Sequence, residues 1–167
     1  IYKSSYTDKL EDILDLEIKK NQLLVRIESK SDYPNYYFKS LNGRRINKIT
    51  DFKNPFDKLN LVDKEVISYK RNDGVELSGV LYLPIGYNKA SKEKMPMILW
   101  AYPREFKDIN SASQNLNNPN EFTNPYYGSM VYWVTKGYVI LDDASFPIIG
   151  EDMNEPNDDF RSQLVEN

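Results

Sequence analysis

Asn72-Asp73-Gly74-Val75-Glu76-Leu77-Ser78-Gly79-Val80-Leu81-Tyr82-Leu83-Pro84 is the stretch that decides the fold. Val75, Leu77, Gly79, Leu81 and Leu83 alternate with Glu76, Ser78, Val80 and Tyr82, the two-residue period of a strand. Asn72-Asp73-Gly74 is a tight turn, and Val66 to Tyr69 before it reads as another strand. The segment is therefore a hairpin whose long second strand stops at Pro84. A polar loop follows from Gly86 to Lys94. Met97 to Tyr102 is then a near-continuous apolar strand, as expected in the middle of a sheet covered on both faces.

Further along, Arg104 to Tyr126 is rich in Asn, Ser and Pro and reads as a long irregular loop, a length that is usually functional or disordered. Met130, Val131, Trp133 and Val134 give Gly128 to Lys136 the pattern of a short amphipathic helix, with Gly137 at its C-cap. Val139 to Leu141 is another apolar strand, and Phe160, Leu164 and Val165 begin a second helix. Antiparallel strands followed by a strand-helix-strand crossover describe an open α/β sheet turning parallel.

On the other side of the hairpin the chain is a series of short strands. Leu23, Leu24, Val25 and Ile27 mark one, Tyr36, Tyr37 and Phe38 a second, and Ile46 and Ile49 a third. Asn42-Gly43 is a hairpin turn, and Asn54-Pro55 closes the segment. Thr7 to Lys20 fits helical spacing through Leu10, Ile13, Leu14 and Ile18, and alternation through Leu14, Leu16 and Ile18. We read it as a strand entered from an irregular segment. The strands together suggest a meander or one propeller blade.

The 167 residues are about one domain by length. A net charge of -3, spread through the chain, offers no basic face for nucleic acid. The longest apolar run is too short to span a membrane. With no cysteine there is no disulfide, thiolate zinc site or cysteine nucleophile. With no histidine, a self-contained Ser-His-Asp, Cys-His or His-metal enzyme is excluded. No signal peptide is visible. Ile1 is not a natural start, so an upstream segment is expected.

Beyond the hairpin, Leu99-Trp100-Ala101-Tyr102-Pro103-Arg104-Glu105-Phe106-Lys107, Pro119-Asn120-Glu121-Phe122, Pro147-Ile148-Ile149-Gly150-Glu151, Asn157-Asp158 and Gln163-Leu164-Val165 follow in order. With Pro34-Asn35-Tyr36-Tyr37 and Ile49-Thr50-Asp51-Phe52, these segments resemble the prolyl oligopeptidase family of serine peptidases, and within it the glutamyl endopeptidase branch. The resemblance runs from about Gln22 to the last residue. It implies a β-propeller capping an α/β-hydrolase domain, with residues 1–56 the last propeller strands and linker and residues 57–167 the first part of the hydrolase domain.

That family uses a serine on a Gly-x-Ser-x-Gly elbow, then Asp, then His. The elbow is absent here. Ser78-Gly79 lies inside a strand, and Ser129 after Gly128 is followed by Met130 and Val131. Nucleophile, acid and base are therefore expected beyond Asn167 in a longer parent. The chain by itself is expected to be inactive and to self-associate through an exposed sheet edge near Val139 or Met97. The resemblance implies a peptide substrate and no cofactor. The sequence leaves the compartment open; a soluble protein of the bacterial cytoplasm or periplasm is the expectation. A non-catalytic β-rich interaction module and a family esterase are the alternatives. The propeller-like segment argues against the esterase.

Three residues are candidates for the chemistry. Tyr102 ends the apolar strand, where the resemblance implies a tyrosine hydroxyl in the oxyanion hole. The alternative is an aromatic strand end packed on the core. Arg104 and Lys107 follow, cations suited to holding a glutamate carboxylate. The alternative for both is a solvated loop charge. Asp142-Asp143, Glu151 and Asp152 are carboxylates in series, but the first pair sits at a strand end with its side chains on opposite faces. Asn117 to Glu121 lacks the glycine turn of a calcium loop, so no metal site is expected. Trp100 and Trp133 fall on core-facing elements and are expected to be buried.

Overall fold

The computed structural model describes residues 2–91, 93–150 and 155–167. The chain divides into two compact units, residues 1–60 with 118–124, and residues 61–117 with 125–167. Glu151 and Asp152 lie outside the described residues.

The first unit is an antiparallel meander of β1 (Leu10–Glu17), β2 (Gln22–Glu28), β3 (Asn35–Ser40) and β4 (Ile46–Lys48), in that order. The strand expected between Thr7 and Lys20 is β1. Asn42-Gly43 makes the β3–β4 turn, with Gly43 at φ 70°, a conformation that glycine enters without steric cost. Alternation along β2 buries Leu23, Val25 and Ile27, against which Tyr2, Tyr6 and Tyr37 pack. Across this sheet Lys39 of β3 meets Glu11 of β1 at 2.7 Å, both side chains buried. The Tyr2 hydroxyl lies 2.9 Å from both Glu11 oxygens. The Lys39 ammonium also stands 5.2 Å and 4.8 Å from the ring centres of Tyr2 and Tyr6, a cation–π arrangement. Burial alone would raise the Glu11 carboxyl, but hydrogen bonds from Lys39, Ser4 and Tyr2 outweigh it and hold the group below its usual range.

Asn35 knits β3 to the segment that follows β4. Its amide donates to the carbonyls of Tyr33 and Phe52, and its side-chain oxygen accepts from the Thr50 hydroxyl and the Phe52 N–H. Residues 118–124 complete the unit. The Phe122 ring stands edge-on to Tyr33 at 5.1 Å, and the Phe122 N–H donates to the Glu28 carboxylate at 3.4 Å. Burial pushes the Glu28 carboxyl above its ordinary value.

The second unit is a mixed sheet of β5 (Asp63–Lys70), β6 (Glu76–Leu83), β7 (Met97–Phe106) and β8 (Val139–Ile149). The order is β5-β6-β8-β7, with β5/β6 and β6/β8 antiparallel and β7/β8 parallel. The hairpin and the turn to parallel pairing follow the sequence reading. Two short helices, α1 (Ile109–Ala112) and α2 (Phe160–Glu166), and a 3-10 helix over Met130–Lys136 accompany the sheet. The 3-10 helix takes the place of the expected α-helix. Ser129 caps its start, and Gly137, at φ 87°, ends it. Ala112 of α1 joins Val75, Leu77 and Ile149 in a core cluster, with Tyr69 and Phe106 against it.

Two polar anchors, one buried and one half-buried, hold the ends of this sheet. The Arg71 guanidinium, before the β5–β6 turn, binds Asp73, the Pro147 carbonyl and the Asn167 side chain. The Gln163 side chain of α2 donates to the Ile149 carbonyl at 2.6 Å and accepts the Ile149 N–H at 2.8 Å. A side-chain amide thus makes the pair of bonds that a neighbouring strand would make.

Several expectations need correcting. Met97 to Tyr102 is not covered on both faces: β7 is an edge strand among the described residues, Met97 is 55% exposed and Trp100 47%. Trp133 is 48% exposed. Apolar pattern fixes what a strand can bury, not what reaches it. Of the two strands named for an exposed edge, it is β7, while β8 lies between β6 and β7. The irregular loop begins later than read, because β7 continues through Phe106 and α1 follows it. Its asparagines have a local role: Asn115 and Asn118 each accept the backbone N–H two residues on.

Candidate functional site

The site is built by an irregularity in β8. Leu99 of β7 pairs with Leu141, but Ala101 pairs with Ala144, so Asp142 and Asp143 together oppose Trp100. This is a β-bulge, a device that bends a strand and re-aims a side chain. Asp143 takes φ 46° within it, a left-handed conformation that Asp tolerates better than most residues. The Asp142-Asp143 pair is therefore not a strand end. β8 continues for six further residues to Ile149.

The bulge also ends the β6–β8 ladder, whose pairs run from Tyr82↔Ile140 to Val80↔Asp142. The next β6 residue is Gly79. A Cβ there would meet the Leu141 Cδ1 at 2.8 Å and the Ala144 Cα at 3.3 Å, so the close approach of the two strands requires a residue without one. Beyond it, the Ser145 side chain takes over. Its Oγ accepts the Ser78 N–H at 3.1 Å and lies 3.3 Å from the Ser78 Oγ.

A pocket of about 60 Å³ opens beside this junction, walled by Tyr102, Arg104 and Phe106 of β7, Asp143, Ser145 and Pro147 of β8, Ser78 of β6, and Ala112, Gln114 and Asn117 from the α1 region. That volume suits the end of one side chain and not a whole ligand. Asp108 sets the wall: its carboxylate accepts the Ser111 N–H and hydroxyl, each at 2.8 Å, and so starts α1.

Tyr102 and Arg104 are two apart on β7 and share a face. Tyr102 is 74% exposed, and its hydroxyl has no hydrogen-bond partner among the described residues. The packed-aromatic alternative does not describe it. Arg104 donates through Nη2 to the Asp143 carboxylate at 2.9 Å. Lys107, just past the strand, is exposed and is not part of the pocket wall. So the structure gathers two of the three candidates and leaves the third apart. Ser145 is a pocket residue that sequence reasoning missed, and Asp143 is one that it set aside as half of a strand-end pair. For Asp143 the signal was present, since apolar residues resume at Ala144, Phe146 and Ile148 after the two carboxylates. Burial raises the Asp142 carboxyl above its usual range, while the Asp143 N–H pulls it down. Among the described residues no three or more His, Cys, Asp or Glu side chains gather as metal ligands would. No helix there is long and apolar enough to cross a membrane.

No protein-family model matches the chain. It is 39% identical over 151 residues to a probable chloroplastic glutamyl endopeptidase of Oryza sativa subsp. japonica, and 37% identical over 151 residues to that of Arabidopsis thaliana. Each match covers 90% of this chain and 16% of the relative, so the chain spans about a sixth of the length of the curated relatives it matches. Among solved structures, the apo AtxE2 isopeptidase aligns at TM-score 0.48 and 17% identity, over 74% of this chain and 17% of that one. An acylaminoacyl peptidase of Pyrococcus horikoshii aligns at TM-score 0.47 and 20% identity, over 82% and 19%.

Proposed function

We propose that this chain, a relative of the glutamyl endopeptidases of the prolyl oligopeptidase family, is part of a serine endopeptidase that cleaves after glutamate. In this reading residues 1–56 are the last strands of a β-propeller and the linker, and residues 57–167 open an α/β-hydrolase domain. The identity over 90% of the chain is the observation that carries it. The four-stranded meander and the sheet that turns from antiparallel to parallel support the division.

The chemistry is peptide hydrolysis through an acyl-enzyme, without a cofactor. The Tyr102 hydroxyl, at the pocket and without a partner among the described residues, donates to the oxyanion as the carbonyl becomes tetrahedral. Such a donor lowers the barrier because it is already aimed where charge develops. Arg104, on the same face, meets the glutamate side chain in the pocket beside it. Lys107 adds positive charge nearby. The chain itself has no histidine and no Gly-x-Ser-x-Gly elbow, so alone it does not hydrolyse peptides. Alone it also self-associates through the free edge of β7.

The test is steady-state kinetics of the full-length protein that carries this chain, on matched peptides with glutamate or glutamine at the cleavage position. Tyr102→Phe is expected to lower kcat about a hundredfold with little change in KM. A Tyr102→Phe enzyme with the parent's kcat removes the oxyanion role. Equal kcat/KM on the two peptides removes the glutamate preference.

A further inference from the structure

The Arg104 side chain does not extend straight out from its place on β7. Arg104 pairs in register with Pro147, yet its guanidinium binds Asp143, four residues earlier on the parallel neighbour. It therefore leans back across the Tyr102↔Ser145 rung towards the bulge. Tyr102, Arg104, Asp143 and Ser145 all border the one pocket.

Asp143 can make this contact because it occupies the bulge in a left-handed conformation. Glycine would adopt that backbone more cheaply. A non-glycine residue held at positive φ beside a pocket is a position where strain persists for a reason. Here the carboxylate has one described partner, the Arg104 guanidinium. Both side chains are more than half exposed, so the ion pair adds little to stability. What it does is fix the direction of a long side chain that would otherwise sample many rotamers. One Arg104 N–H group is used, and its other donors have no described partner.

We propose that Asp143 is a positioning residue for substrate selection: it holds the Arg104 guanidinium beside Tyr102 so that the remaining donors receive the carboxylate of an acidic substrate side chain. This rests on the reading above, that Arg104 meets the glutamate of the cleaved peptide. Preorganisation is the physical gain, because an arginine already held in place loses less freedom when a carboxylate binds.

The experiment compares Asp143→Gly, Asp143→Asn and Arg104→Met in the full-length protein, with glutamate and glutamine peptides. Glycine keeps the left-handed backbone and removes the carboxylate. Asparagine tolerates the same backbone and keeps an oxygen to accept the Arg104 N–H. Asp143→Gly is expected to raise KM for the glutamate peptide about tenfold, as loss of an orienting partner does. Its effect on KM for the glutamate peptide should exceed any effect on kcat or on the glutamine peptide, and Asp143→Asn should recover most of the loss. Arg104→Met should abolish the preference.

Four results overturn the proposal, and they differ. If Arg104→Met abolishes the preference but Asp143→Gly leaves or sharpens it, Asp143 does not position Arg104. If Asp143→Gly impairs both peptides alike, the residue only maintains the bulge. A preference untouched by Arg104→Met removes the carboxylate-reading role and the positioning role together. A parent that cleaves neither peptide removes the peptidase reading itself.

Discussion

The Ser145 hydroxyl oxygen accepts the backbone N–H of Ser78 at 3.1 Å, where an uninterrupted ladder would have placed a carbonyl. The bulge at Asp142 and Asp143 swings β8 out of register, and one side chain closes the gap. Ser78 is buried, so its N–H has no ready access to water. Ser145→Ala should therefore destabilise the second unit by about 1–3 kcal/mol, the cost of an orphaned buried donor. Urea unfolding measures it; an unchanged midpoint would mean that water or a shifted carbonyl takes over the bond.

Gly79 stands at the same junction. Gly79→Ala puts a methyl group 3.3 Å from the Ala144 Cα and 2.8 Å from the end of the Leu141 side chain. Leu141 can rotate away, but the β8 backbone has to move. A loss of about 1–3 kcal/mol is expected, the usual cost of overpacking. The bulge should shift with it, so the glutamate preference proposed above should fall in parallel. A stable variant with its preference intact would show that the two strands have slack.

In the first unit, Lys39→Met leaves the Glu11 carboxylate buried without its cation. The expected loss is about 3–5 kcal/mol, whereas replacing both residues by apolar ones of similar size should be nearly neutral. Equal losses for the single and double replacements would show that the pair is stabilising in itself.

The same pair sets a pH dependence. Glu11 is held below its ordinary value of 4.5, so its contribution is full above that value and fades as the pH falls through its folded pKa. Hydrogen bonds to Glu11 and Tyr2 outweigh burial and hold Lys39 above 10.5, so its contribution is full below that value and is lost as the pH rises through the folded pKa. Stability of the parent should fall on acidification below about pH 5, and Glu11→Gln should flatten that slope. Denaturant unfolding at a series of pH values reads both; parallel curves would locate the acid sensitivity elsewhere.

Among the described residues β7 pairs on one side alone, and Met97, Leu99 and Trp100 are all exposed along it. Such an edge recruits other strands. Sedimentation of the isolated chain should show concentration-dependent association. Leu99→Lys should suppress it, since a charge on an edge strand opposes pairing. A monomer at every concentration would count against the edge as an interface.

What was legible in the sequence was local. Asn42-Gly43, Asn72-Asp73-Gly74 and Gly137 announce their turns because the backbone there needs φ above zero, and few residues supply it. β6 announces itself by alternation. The position of β7 in the sheet was not legible, because an apolar run says nothing of which strand lies beside it. Trp100 and Trp133 mislead for the same reason. The bulge was missed because two adjacent carboxylates resemble the end of a strand, and the resumption at Ala144, Phe146 and Ile148 matters only once pairing with β7 is known. Ser145 had no signal of its own: a serine becomes informative when the ladder beside it stops.

Both backbone polar groups of Ile149, the N–H and the carbonyl, are held by Gln163, a side chain on α2. That bond exists only while the helix lies against the sheet. The exchange of one amide proton with solvent, that of Ile149, therefore reports how often α2 lifts away. In a chain of 167 residues it is a natural probe of helix docking, requiring no label and no substitution.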